Sequence, residues 1–153
     1  ITSFFSENLN EILKKMLRKS TNVTAEIVGI FAARKWGIKI NSINESGSLM
    51  SAWFNIVSKS SNQIFINHSG LSSESKVSSK AFSRFLSREE TKLNLLPILN
   101  IYKKNDEITK KIKNKKVRIV AKTGTMFFIR GLAGYIIVDG KPFASFTLLF
   151  ANL

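Results

Sequence analysis

Two short stretches hold side chains that can do chemistry together. Ser20-Thr21-Asn22 sets a hydroxyl and a carboxamide two residues apart, and Lys122-Thr123-Gly124-Thr125 follows an ammonium with two hydroxyls around a glycine. An ammonium flanked by hydroxyls holds a carboxylate through charge-assisted hydrogen bonds. Each stretch alone is weak, because Ser60-Ser61-Asn62 repeats the first pattern in a serine-rich chain. Composition closes other routes. The absence of cysteine excludes thiolate chemistry, disulfides and Cys-ligated zinc. His68 is the only histidine, so a multi-histidine metal site is excluded and any Ser-His-Asp triad must run through that residue. With no adjacent acid it reads as a structural hydrogen-bond partner. No metal site and no cofactor is expected.

The elements that must position these residues are legible in the apolar spacing. Leu9, Ile12, Leu13, Met16 and Leu17 recur at helical intervals with Lys14, Lys15, Arg18 and Lys19 between or beyond them, which predicts an amphipathic helix capped by Ser6 or Asn8 and ending near Ser20. Val23 to Trp36 has few polar residues, predicting a buried core helix closed by Gly37. The spacing two of Ser20 and Asn22, if the turn between these helices is extended, points both side chains into one cleft. Gly47 to Lys59 predicts a third helix, Gln63 to Asn67 a short strand, and Ala81 to Leu86 a further short helix after a Ser- and Gly-rich loop.

The last third changes character. Val117 to Thr125, Arg130 to Val138 and Pro142 to Ala151 are β-branched or aromatic runs, the last two joined by Asp139-Gly140-Lys141, and Asp-Gly is a strong hairpin signal. Three antiparallel strands behind a helical segment predict an α/β layered architecture. Residues 1–153 read as a single partial domain, helical to about 116 and sheet from about 117.

The 153 residues carry 24 Lys plus Arg against 10 Asp plus Glu, a formal charge of +14, with Lys103 to Arg118 the most basic run. That charge suits nucleic acid, anionic lipid or an acidic wall polymer equally, and equally a solvated surface. No run approaches the length of a membrane-spanning helix. The chain starts at Ile1 without a signal-peptide pattern, and is expected to be cut from something longer.

Together, in this order, the two motifs resemble the later two motifs of the penicillin-recognising serine enzymes. Ser6 to Gly37, with Leu9, Glu11, Ile12, Leu13, the Ser20-Thr21-Asn22 triplet and Ala25-Glu26, resembles the D-alanyl-D-alanine carboxypeptidase/endopeptidases among the low-molecular-mass penicillin-binding proteins. His68-Ser69-Gly70-Leu71-Ser72 followed by Val77-Ser78 resembles that family's Gly-Ser-Gly-Leu-Ser loop, with Asn67 where an acid is common. Ala121 to Thr125 and Leu132-Ala133-Gly134-Tyr135 resemble its terminal strands, so the likeness runs from about Ser6 to Leu153.

The resemblance implies part of a β-lactamase/transpeptidase-like fold and acyl transfer through a serine ester. Ser20 would relay a proton to the departing amine, Asn22 would bind the substrate's backbone amide, and Lys122 would polarise Ser20 and attract the peptide's terminal carboxylate. Thr123 and Thr125 would bind that carboxylate, Gly124 would allow close approach, and the N–H of Thr125 would serve an oxyanion hole. The family's nucleophile lies in a Ser-x-x-Lys motif upstream of Ser-x-Asn. Here the only Ser-x-x-Lys is Ser73-Glu74-Ser75-Lys76, read as coincidence, so the N-terminal half with the nucleophile is expected to be absent and the chain alone inactive. The implied partners are peptidoglycan stem peptides, with β-lactams as inhibitors, in the periplasm, and the basic surface would meet an anionic wall polymer or membrane. No nucleic acid is expected. The rival reading, a basic module that binds nucleic acid or wall polymer without catalysis, rests on charge alone. Carboxypeptidase and endopeptidase preference stays open.

Overall fold

In the computed structural model, which describes residues 5–102, 112, 114 and 116–151, five helices precede a four-stranded sheet. The helices are α1 (Leu9–Lys19), α2 (Asn22–Lys35), α3 (Ile43–Val57), α4 (Ser79–Ser87) and α5 (Glu89–Leu95). The strands are β1 (Asn100–Tyr102), β2 (Val117–Met126), β3 (Ile129–Val138) and β4 (Lys141–Ala151). All neighbours are antiparallel, in the order β1-β2-β3-β4. The α/β class follows, with one strand more than the three expected. The added strand, β1, is three residues long and pairs only with Ile119 to Ala121.

The three long strands fall where their β-branched runs predict. Asp139 and Gly140 both take positive φ, 49° and 79°, the geometry that a two-residue hairpin matching the strand twist demands. Four residues of the sheet and of α4 form the core: Leu86, Val120, Tyr135 and Ile137, with Phe82, Phe85, Leu95, Leu96, Leu99 and Ala133 packed against them. Tyr135 is fully buried, and its hydroxyl donates to the Leu86 carbonyl at 3.0 Å. Burial in this apolar setting pushes its pKa up to about 12. Phe54 of α3 joins the same layer, with its ring edge-on to Phe65 at 5.0 Å and tilted against Phe82 and Phe85.

Three expectations need correction. The third helix starts at Ile43, not Gly47, because Ser42-Ile43-Asn44-Glu45 is a capping sequence: Ser42 Oγ accepts from Glu45 N at 3.2 Å, and the Glu45 carboxylate reaches back to Asn41 N at 2.8 Å. Residues 63–67 do not form a strand of the sheet. They run along α3, where Ser51 Oγ accepts from Phe65 N at 2.7 Å and Asn55 bonds Gln63 N and O, so side chains of the helix satisfy the backbone that a strand partner would have paired. Only the isolated bridge between Ile64 and Lys76 remains.

The third correction concerns α2, expected to be buried. Of its residues only Ala33 is buried, and Val23, Ile27 and Phe31, spaced four apart along one face, are exposed. Most of the basic run from Lys103 to Arg118 lies outside the described residues. No described helix is long and apolar enough to cross a membrane.

Candidate active site

Ser20 occupies the corner between α1 and α2. It takes the left-handed conformation, φ 52° and ψ 49°, as the C-cap of α1, and its N–H returns to the Met16 carbonyl. Glycine is the usual occupant of such a position, and a serine there costs roughly 1 kcal/mol. Thr21 then turns the chain into α2, whose first residue is Asn22. The Ser20 to Asn22 segment is therefore not an extended turn, and the alternation argument that aimed both side chains into one cleft does not hold. A left-handed residue followed by a helix start does the re-aiming instead. Asn22 is exposed at the first turn of α2.

Lys122 comes to Ser20 from the sheet. Its Nζ donates to Ser20 Oγ at 2.7 Å, across 102 residues of sequence, and to the Thr123 carbonyl at 2.5 Å. Half-buried between strand and helix corner, the ammonium loses hydration, which lowers its pKa from the ordinary lysine value. The geometry has a chemical consequence. Because Ser20 Oγ accepts from the ammonium, its own O–H is free to be given to another group, and Lys122 can replace that proton.

The strand presents the rest of its motif with less company. Alternation along β2 places Lys122 and Gly124 on one face and Thr123 and Thr125 on the other. Thr123, Gly124 and Thr125 are all exposed, and a Cβ built on Gly124 would meet nothing within 4 Å, so the space above it is open. On one side β3 pairs the whole motif, from Lys122 opposite Ala133 to Thr125 opposite Arg130. On the other side β1 stops at Ala121, which leaves that edge of β2 unpaired by β1 beside the motif. Ser20 and Lys122 are thus brought into contact. Thr123 meets Lys122 through its backbone carbonyl, while among the described residues Asn22 and Thr125 make no hydrogen bond to the pair.

A second cluster lies one turn further along α2 and was missed as a unit in the sequence. Glu26 accepts from two consecutive backbone N–H groups, His68 N at its Oε2 and Ser69 N at its Oε1, each at 3.0 Å. Its carboxyl carries a partial burial penalty that would raise its pKa, but the Ser69 hydroxyl, these two N–H groups and the nearby His68 outweigh it and lower the value. His68 Nε2 lies 2.7 Å from the fully buried Ser46 Oγ of α3, and its ring sits against Gly29, where a Cβ would fall 2.1 Å from Cγ. Burial lowers the His68 pKa against the pull of Glu26. Glu26 reaches the backbone of His68, so the arrangement is a clamp joining α2, the loop and α3. Ala25-Glu26 and His68-Ser69 were visible as separate resemblances, but nothing in their spacing of 42 residues announces the contact.

Asn67, at the position where the resembled loop commonly has an acid, accepts from Gly70 N at 3.0 Å and shapes the turn in which Gly70 has φ 79°. Ser73 and Lys76 are exposed in the following loop, and Lys76 is tied through its backbone to Ile64. Among the described residues no three of His, Cys, Asp and Glu gather in a group able to hold a metal ion.

Helices laid on an antiparallel sheet, with a strand lysine bonded to a serine at a helix corner and a strand edge that no described residue pairs alongside, define an α/β domain with a lysine-serine site. The chain belongs to the D-Ala-D-Ala carboxypeptidase 3 (S13) family, whose model matches residues 1–152. A carboxypeptidase-type role in peptide hydrolysis goes with that membership. No curated protein and no solved structure matches the chain significantly.

Proposed function

We propose that Ser20, Asn22 and Lys122 form one wall of a serine acyl-transfer site that removes the terminal residue from peptidoglycan peptides ending in D-Ala-D-Ala, in the periplasm. The observation that carries this reading is the 2.7 Å hydrogen bond from Lys122 Nζ to Ser20 Oγ. A serine outside these motifs, on a Ser-x-x-Lys segment preceding them, attacks the carbonyl carbon of the penultimate D-Ala. The nucleophile's own proton passes to the lysine of its segment; as the C–N bond breaks, the departing D-Ala amine takes a proton from Ser20, Lys122 reprotonates Ser20, and the proton held on the upstream lysine restores the Lys122 ammonium. Water then hydrolyses the ester and frees the shortened peptide.

The peptide lies along the edge of β2 that no described residue pairs beside the motif, where a backbone can add as a further strand. Gly124 leaves room for it, and Asn22 holds its amide. The substrate's terminal carboxylate meets the Lys122 charge, and the hydroxyls of Thr123 and Thr125 reach it around the open edge. Serving these roles, β-lactams are expected as covalent inhibitors.

The test is release of D-alanine from a pentapeptide ending in D-Ala-D-Ala by the full-length protein. Ser20→Ala and Lys122→Gln should each lower kcat by about 10²–10⁴, the range of a lost proton-transfer group. Unchanged kcat in both variants would remove the lysine-serine pair from the mechanism.

A further inference from the structure

The hairpin that follows the motif strand turns through Phe127 and Phe128, which join β2 to β3 in a two-residue connection. Such connections select glycine, asparagine or aspartate because they require positive φ. Here Phe127 takes φ 38°, and its side chain is 90% exposed, with Phe128 73% exposed beside it. A bulky ring at a strained turn position gains nothing from packing within the described chain. Ile129 continues the apolar tip, and Phe150 of β4, opposite Arg130, is 66% exposed.

The sheet segment that carries this tip is almost all of one sign. From Val117 to Ala151 the only acidic residue is Asp139, at the opposite end of β3, where it pairs with Lys116 at 3.2 Å. Arg130, the second residue of β3, stands beside the tip opposite Thr125, and the whole chain carries a formal charge of +14. An apolar point flanked by a cation on a strongly basic chain, with the sheet's one acid at its far end, is the pattern of a segment that enters the headgroup region of an anionic bilayer.

We propose that the Phe127-Phe128 hairpin docks the protein on an anionic phospholipid surface, its rings entering the interface and Arg130 facing the headgroups. A projecting pair of phenylalanines suits the lipid boundary better than a peptide or a glycan strand, both of which are polar along their length. This surface does not rest on the reaction proposed above, and its test needs no turnover.

The experiment is co-sedimentation of the full-length protein with vesicles of phosphatidylcholine and phosphatidylglycerol at about three to one, against vesicles of phosphatidylcholine alone. The protein should partition to the anionic vesicles, and Phe127→Asn with Phe128→Ser should lower that partition about tenfold or more. Asparagine tolerates the positive φ of position 127, so the hairpin is retained, and a melting curve matching the unsubstituted protein verifies it. Arg130→Gln should weaken binding less, and more so at low salt. Sedimentation of the double variant equal to that of the unsubstituted protein would overturn the proposal. So would binding to isolated peptidoglycan with none to either vesicle.

Discussion

Ser20 and Lys122 show how a residue's worth is set by its environment. A lysine in water holds its proton firmly, but one half-buried at a helix corner is a better acid, and its hydrogen bond leaves the serine hydroxyl proton available. Replacing Ser20 by glycine separates two effects at that position. Glycine relieves the left-handed strain and should raise the melting temperature slightly, while D-alanine release falls as in Ser20→Ala; a fall in both would mean that the corner depends on the serine for its shape. His68 supplies a second residue-level prediction. Its folded pKa lies below the ordinary 6.5, so the unfolded chain binds more protons as pH falls through that value, and stability is lost from there downward until the folded pKa is passed. Glu26, lowered from 4.5, adds a further loss at more acid pH, as the carboxylate that clamps the loop is protonated. The single histidine makes an NMR titration unambiguous, and a midpoint at or above 6.5 would contradict the buried placement.

At the scale of elements, the close approach of Gly29 to the His68 ring joins α2 to the loop and, through Ser46, to α3. Gly29→Ala should destabilise by about 1–3 kcal/mol through overpacking, and adding His68→Ala should recover part of that loss. Independent, additive effects in thermal melts would place the two residues apart. Ser42→Ala should cost about 1 kcal/mol by removing the cap of α3. The long strands, the amphipathic α1 and the Asp139-Gly140 turn were legible in the sequence because local chemistry decides them. The start of α3 was legible too, in the Ser42 to Glu45 capping pattern, which sets the helix start six residues before the apolar spacing begins at Leu49. Residues 63–67 and β1 were not legible, since one takes its hydrogen bonds from Ser51 and Asn55 and the other is three residues long, both decided by tertiary contacts. At the site, the motif residues could be named from the chain. Their arrangement could not: the Lys122 to Ser20 bond and the Glu26 clamp are contacts across more than 40 residues.

Over the whole molecule, the described surface is more apolar than a chain of this charge suggests. Val23, Ile27 and Phe31 line an exposed face of α2, and β4 pairs only with β3 among the described residues while Phe143, Leu148, Leu149 and Phe150 stay exposed. An unpaired strand edge with exposed apolar residues invites association. Expressed alone, the 153-residue chain should aggregate; a monodisperse product with a cooperative melt would count against that expectation.

The central claim is that Lys122 and Ser20 work together in serine acyl transfer. Its most direct test is the rate of covalent labelling of the full-length protein by a fluorescent penicillin, with Lys122→Gln and Ser20→Ala compared as folded proteins. Labelling should be stoichiometric and should slow by about 10² or more in each variant and by little further in the double, since both act on one proton. Labelling at the unsubstituted rate in either variant, or none in the unsubstituted protein, would contradict it.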